Sequence, residues 1–261
     1  MSAETDRPPA AAGARATSPS ATAPTTATAT AGASSGAVRH ARPTRAEWVR
    51  IAVFAVPCGA LFPTRLLQTL VPAGSEHFLL IQDAVNMGLL LLALAIFGRG
   101  FLSDFSYMRS RPVRKVAAIL GLVILTFVAQ NLAHAVVSTP NSFGADTLHY
   151  FTEGFGGLVF SFIIALAGPL IEEVFFRHIL IGRLSAYAPT WLVAAISCLL
   201  FTLMHCHGWQ EIPSYLPLAL ALTLAYVCSR KNLAYSWLVH ALNNSIIVGL
   251  VVLSSAPATG A

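Results

Sequence analysis

Apolar positions along this chain come in long unbroken runs, with little amphipathic alternation. Stretches near 48–64, 78–98, 116–137, 155–184, 190–206, 212–228 and 233–254 approach or exceed the ~20 residues that carry a helix across ~30 Å of hydrocarbon. The pattern predicts an all-α fold, a polytopic transmembrane helix bundle of about seven spans. The runs 190–206 and 212–228 are the shortest, so tilting or partial re-entry there changes the count by about one. Residues 1–45 are a different material: Ala, Thr, Ser, Pro and Gly with scattered Arg and no hydrophobic period. Such a segment predicts a disordered N-terminal tail. It holds no continuous apolar core ahead of a small-residue cleavage site, so the first span is expected to set targeting. The remainder, 46–256, reads as one multi-span membrane domain.

Composition agrees. The chain is 56% hydrophobic and 10% charged, against about a quarter charged in a soluble domain. A cell-membrane, multi-pass protein with lipid around it is the reading. If the chain alternates sides through seven spans, Arg65 falls on one side and every other Lys or Arg on the opposite one. That opposite set includes Arg39, Arg42, Arg45, Arg50, Arg99, Arg109, Arg111, Arg114, Lys115, Arg183, Arg230 and Lys231. Arg177 leans the same way from within its span. The positive-inside rule then puts the N-terminus in the cytoplasm and the C-terminus outside. The net charge of +5 therefore reflects topology, and no nucleic-acid partner is expected. Cys58, Cys198, Cys206 and Cys228 lie in or beside apolar spans without CxxC spacing, and read as buried free thiols. Cys206, flanked by His205 and His207, is the cysteine nearest the polar residues of the later spans, and a metal role for it is the minor reading.

Three pairs spaced four apart put polar or ionisable groups inside apolar runs: Glu173/Arg177, Phe201/His205 and His240/Asn244. A charge at the bilayer centre costs several kcal/mol, roughly 2.5–3.5 on insertion scales, so such residues mark function by default. Adjacent helical residues point about 100° apart, so Glu172 and Glu173 face different directions. Glu173 and Arg177 can meet on one helix face and neutralise each other. Glu172 is left without an obligatory ion pair and is the candidate base. The bland alternative is a solvated helix end, and depth argues against it. From the break at Tyr187-Ala188-Pro189, Glu172 lies about fifteen residues back and His205 about sixteen forward, roughly 22 and 24 Å along their helices. His240 and Asn244 lie roughly 14 and 20 Å beyond Lys231. The polar groups of three helices reach similar levels. Asp83, Asn86, Gln130, Asn131 and His134 are expected to bond helix to helix more than to line this cavity, and His207 to sit at the outer interface.

In this order on successive spans, Glu172-Glu173-x-x-x-Arg177, Phe201-x-x-x-His205 and His240-x-x-x-Asn244 resemble the three motifs of the CPBP family of intramembrane proteases. That family takes in CAAX prenyl endopeptidases and bacteriocin-processing or self-immunity proteins. The resemblance covers about 155–250. It implies an all-helical membrane peptidase with Glu172, Glu173, Arg177, His205, His240 and Asn244 at its site, and Phe201 beside them.

Peptide hydrolysis needs a deprotonated water, a donor to the oxyanion and a proton for the leaving amine. Glu172 is the expected base, His205 orients the water with it, and His240 and Asn244 donate to the oxyanion. The other arrangement open to the same residues is a zinc or other divalent ion held by Glu172, His205 and His240; without HExxH the sequence leaves both standing. Three functions of other classes compete: a proton- or ion-coupled transporter, a haem carrier with His205 and His240 as axial ligands, and a non-hydrolytic scaffold or immunity protein. The expected partner is a peptide or membrane-protein substrate, with a lipidated C-terminus or a leader peptide as the two kinds the resemblance allows.

Overall fold

A computed structural model describes residues 42–61, 65–71, 76–137, 154–206 and 208–255. Among them every regular element is a helix. The predicted tail lies outside the described residues up to 41, as do His207 and most of the segment between the third and fourth spans. The helices are α1 (Arg45–Leu61), α2 (Arg65–Leu70), α3 (Glu76–Asp104), α4 (Pro112–Val136), α5 (Gly154–Phe162), α6 (Gly168–Glu172), α7 (Thr190–His205), α8 (Ile212–Cys228) and α9 (Leu233–Ser255). Two π-helical stretches, Ile163–Ala167 and Glu173–Arg183, join α5 and α6 into one central helix that runs on to Arg183.

Each of the seven predicted spans coincides with a helical run. Among the described residues five are long and apolar enough to cross a membrane: His77–Arg109, Pro112–Val136, Phe155–Arg183, Trp209–Cys228 and Leu233–Ser254. Thr190–His205 is a shorter apolar helix, and α1, with Pro57 inside it, has 17 residues. The run at 212–228 reaches full length because a turn of 3₁₀ helix, Trp209–Glu211, precedes it. The short α2 has no signal in the hydrophobic pattern. The exterior of the bundle is apolar: Leu91, Ile124, Leu125, Leu132, Leu250 and Leu253 are all exposed. Large apolar side chains facing outward over whole helices fit lipid as the surrounding solvent.

Local chemistry sets the helix ends. Thr44 and Glu47 form a capping box at the start of α1, with Thr44 N donating to Glu47 Oε2 at 2.8 Å and Glu47 N to Thr44 Oγ1 at 3.2 Å. Each bond satisfies an amide that helix geometry leaves without a partner. α4 starts on Pro112, whose missing N–H costs nothing at the first helical position. At α9 the Asn232 side chain accepts from Tyr235 N at 2.8 Å, and Asp104 Oδ2 accepts from Leu233 N at 2.8 Å, tying the end of α3 to the start of α9.

The central helix departs from α geometry for a reason visible in its residues. Pro169 has no N–H to give to the carbonyl four residues back, and its ring crowds that carbonyl. The turn just before it widens to π, and Gly168 donates its N–H five residues back to Ile163 O. A Cβ on Gly168 would sit 3.2 Å from that same oxygen, so glycine suits the tightened approach. Neighbouring helices bond to carbonyls of the widened turns. Asn244 Nδ2 donates to Ile164 O at 3.0 Å, Trp237 Nε1 to Leu166 O at 3.1 Å, and Ser197 Oγ to Phe176 O at 2.6 Å.

Candidate active site

Glu172 closes α6 and Glu173 opens the second π stretch, so the two carboxylates leave the central helix at its point of changing pitch. Arg177 Nη1 lies 3.3 Å from Glu173 Oε1, and both side chains are wholly buried. Arg177 also donates to Ala219 O of α8 at 3.4 Å. This is the predicted pair, and it does leave Glu172 pointing elsewhere. Glu172 faces two imidazoles: Oε1 is 3.7 Å from His205 Nε2 and Oε2 is 3.6 Å from His240 Nε2.

The other nitrogen of each ring is held from behind. His205 Nδ1 lies 2.8 Å from Phe201 O, one turn back on α7. A carbonyl only accepts, so Nδ1 carries a proton and Nε2 is the nitrogen that faces Glu172. His240 Nδ1 lies 3.2 Å from Glu173 Oε1, an acceptor that likewise takes a proton from Nδ1. Both adjacent carboxylates therefore reach one ring, on its two different nitrogens. Helical spacing separates the directions of the two glutamates but does not reveal that His240 spans them. Two imidazole nitrogens and a carboxylate in apposition can share a proton or hold a polarised water.

Phe201 is the packing element of the site. Its ring lies 4.5 Å from His205, 5.7 Å edge-on from His240 and 4.4 Å beneath the Arg177 guanidinium, centroid to centroid or charge. One buried aromatic thus fixes both imidazoles and shares the desolvated cation.

A cavity of about 280 Å³ opens on this cluster, lined by Glu172, His205, His240, Asn244, Asn243 and Tyr215 among others. Gln82, Asn86 and Gln130 complete its far wall. Gln130 is expected to bond helix to helix, and it does both, donating to Ser214 O at 2.9 Å while lining the cavity. Asn86 lines the cavity, a correction to the helix-bonding expectation, and Asn131 bonds within its own helix to Phe127 O at 2.8 Å. Asn243 and Tyr215 are missing from the sequence expectation. Asn243 sits beside Asn244 in an apolar run, and a doubled asparagine there is the available signal.

Glu172 also lines a second cavity of about 280 Å³, with Cys58, Gly59, Phe175, Phe176, Leu200 and Met204. Its walls are apolar apart from the carboxylate. Cys58, far off in sequence, is thus a cysteine that approaches the cluster, where spacing points to Cys206. The cysteines of the described residues are all free.

A zinc ion on Glu172, His205 and His240 would need their donors about 2.0–2.2 Å from one centre. The donors are right in kind, and both rings are oriented as metal-bound histidines are. Among the described residues, however, no three His, Cys, Asp or Glu side chains form a group that could hold a metal ion.

Comparison with known proteins gives an independent view of this segment. Residues 154–246 match the family model described as type II CAAX prenyl endopeptidase Rce1-like. The chain is 34% identical over 96 residues to a membrane-embedded CAAX protease, MroQ, of Staphylococcus aureus (strain USA300), covering 34% of this chain and 38% of that protein. It is 27% identical over 151 residues to the UPF0177 protein YaiF of Lactococcus lactis subsp. lactis (strain IL1403), covering 54% of this chain and 66% of that one. The match thus spans less than two thirds of the length of either relative. No solved structure matches the chain.

Proposed function

We propose that this chain, whose segment 154–246 matches the type II CAAX prenyl endopeptidase Rce1-like family model, is an intramembrane endopeptidase that hydrolyses a peptide bond with water activated by Glu172 and His205. The observation that carries this reading is the apposition of Glu172 to His205 and His240 Nε2, at 3.7 and 3.6 Å, inside a cavity enclosed by apolar helices.

Water bound between Glu172 and His205 gives its proton to this pair, and the hydroxide adds to the carbonyl carbon of the scissile peptide. Negative charge then moves to the carbonyl oxygen. Asn244 Nδ2 spends one hydrogen on Ile164 O and keeps a second for that oxygen. His240 donates from Nε2 only when its ring is protonated, because Glu173 already holds Nδ1. The proton taken from water passes to the amine nitrogen as the C–N bond breaks. Arg177 neutralises Glu173 and so keeps that carboxylate available to orient His240.

The substrate class is a peptide or membrane-protein segment entering from lipid, with a lipidated C-terminus or a leader peptide as the two candidates. A transporter reading draws on the same buried ionisable groups, but their convergence on one carboxylate builds a reaction centre in place of a chain of relay stations. In the haem reading, both imidazoles would have to turn away from Glu172 to face a porphyrin between them.

Glu172→Gln keeps the shape of the site and removes the base. It is expected to leave a folded protein that cleaves nothing measurable, with an uncleaved membrane protein or peptide accumulating in cells. Asn244→Ala is expected to lower the single-turnover rate by about 10²–10³ with peptide binding retained. Wild-type cleavage by Glu172→Gln would overturn the proposal. Activity lost to a chelator and restored by zinc would replace the metal-free step with a metal-bound water.

A further inference from the structure

Away from Glu172, toward the end of the bundle rich in Arg and Lys, lies a cavity of about 410 Å³ that the proposed chemistry does not use. It is lined on its polar side by Asp104, His178, Gly182, Arg183, Tyr226 and Lys231, and on its apolar side by Phe97 and Phe101. The charges in it are unequally matched. Arg183 donates to Glu47 Oε1 and to His178 Nε2, each at 3.2 Å, so its charge is shared. Asp104 accepts from Leu233 N at 2.8 Å, and the amides at the start of α9 absorb much of its charge.

Lys231 has no such partner. Its Nζ donates to Ser185 Oγ, and among the described residues no carboxylate pairs with it. Partial burial holds its ammonium below the ordinary lysine value, so the charge stands in a poorly solvated place without a counterion. Tyr226 adds a second donor. The residue is 1% exposed and lines the cavity. A Cβ at Gly182 would lie 2.6 Å from its hydroxyl oxygen, so glycine there gives the hydroxyl its room.

The backbone at Lys231 is also strained. Arg230 and Lys231 both have φ 63°, in the left-handed region, where side chains other than glycine pay about 1–2 kcal/mol each. Their turn is closed by Lys231 N donating to Tyr226 O at 2.8 Å. This left-handed turn, the C-terminal cap of α8, puts a lysine over the cavity.

We propose that this cavity binds a phosphate anion, presented by the headgroup of an anionic lipid or as free phosphate, with Lys231, Arg183 and the Tyr226 hydroxyl as its donors. A charged oxygen cluster answers the unpaired ammonium and accepts from the phenol, and Arg183 can turn part of its fork to it. The volume exceeds what one anion needs, at ~30 Å³ per water-sized group. With Phe97 and Phe101 on the opposite wall, the remaining space suits the ester side of a lipid.

The test uses the full chain in nanodiscs of phosphatidylcholine, with and without phosphatidylglycerol, or with inorganic phosphate in the buffer. Tm and the lipid retained in native mass spectra are the readouts. Wild type is expected to gain Tm and retain phosphatidylglycerol. Lys231→Gln and Tyr226→Phe are each expected to bind it about tenfold more weakly, the loss of one charge-assisted or buried hydrogen bond. Arg114→Gln, an exposed charge elsewhere, is expected to behave as wild type. A Tm gain with inorganic phosphate alone, lost in Lys231→Gln, assigns the site to soluble phosphate. An equal response of wild type, Lys231→Gln and Tyr226→Phe to both additions overturns the proposal, because general attraction to the basic surface would then explain it.

Discussion

At His240 one ring stands between two carboxylates, with Nδ1 3.2 Å from Glu173 Oε1 and Nε2 3.6 Å from Glu172 Oε2. Whatever changes the charge on Glu173 therefore acts on the ring, and through it on Glu172. Arg177→Ala removes the cation paired to Glu173 in a wholly buried place, which costs about 3–5 kcal/mol. Folded yield from detergent is expected to collapse, whereas Glu172→Gln is expected to purify at wild-type yield; equal yields would contradict the division between a structural and a reactive glutamate. The i, i+4 pairs make these residues legible in the amino-acid sequence, because partners one helical turn apart must share a face. Asn243 has its signal beside Asn244 on the same helix. Tyr215 and Cys58 are not legible there, because each reaches the cluster through packing between helices distant in sequence, and no local spacing reports that.

The central helix shows what a hydrophobic run conceals. Its length and burial follow from apolar composition, but a run reads the same whether its turns are α or π. Gly168-Pro169, lying inside the run, is the signal that the ladder is broken. The break matters because a π turn changes where the following side chains point, and Glu172 follows within four residues of Gly168. Pro169→Ala restores the missing N–H and allows the widened turn to relax to α. Cleavage is expected to fall at least tenfold while helix content by circular dichroism and Tm stay at or above wild type. Undiminished cleavage in a variant of unchanged stability would mean that the pitch change does not aim the carboxylate.

On the scale of the whole molecule, the seven apolar runs and their helices agree because both follow from one constraint: lipid tolerates only backbone that bonds within itself. The count of full-length spans differs for the same reason in reverse. α1 and α7 are helical but short, and length across a bilayer is a property of the assembled bundle as well as of the run. Orientation remains a matter of charge. A reporter fused after Ala258 is expected to read outside the cytoplasm, and one inserted at Ser110 inside it. Matching readouts from the two positions would require an even number of crossings between them and would sink the seven-span topology.

The bonds that clamp the widened turns of the central helix have a consequence in time. Trp237 and Asn244 lie 71 and 80 residues downstream of the carbonyls they cap. At about 5–20 residues per second of synthesis, the central helix waits roughly 4–16 s for these donors. During that interval Ile164 O and Leu166 O have only water or each other's turn to satisfy them, so the turns have no reason to hold their final pitch. The carboxylates are thus made early and aimed late. A nascent chain halted before Trp237 would carry both glutamates into the membrane without yet being able to act on its neighbours.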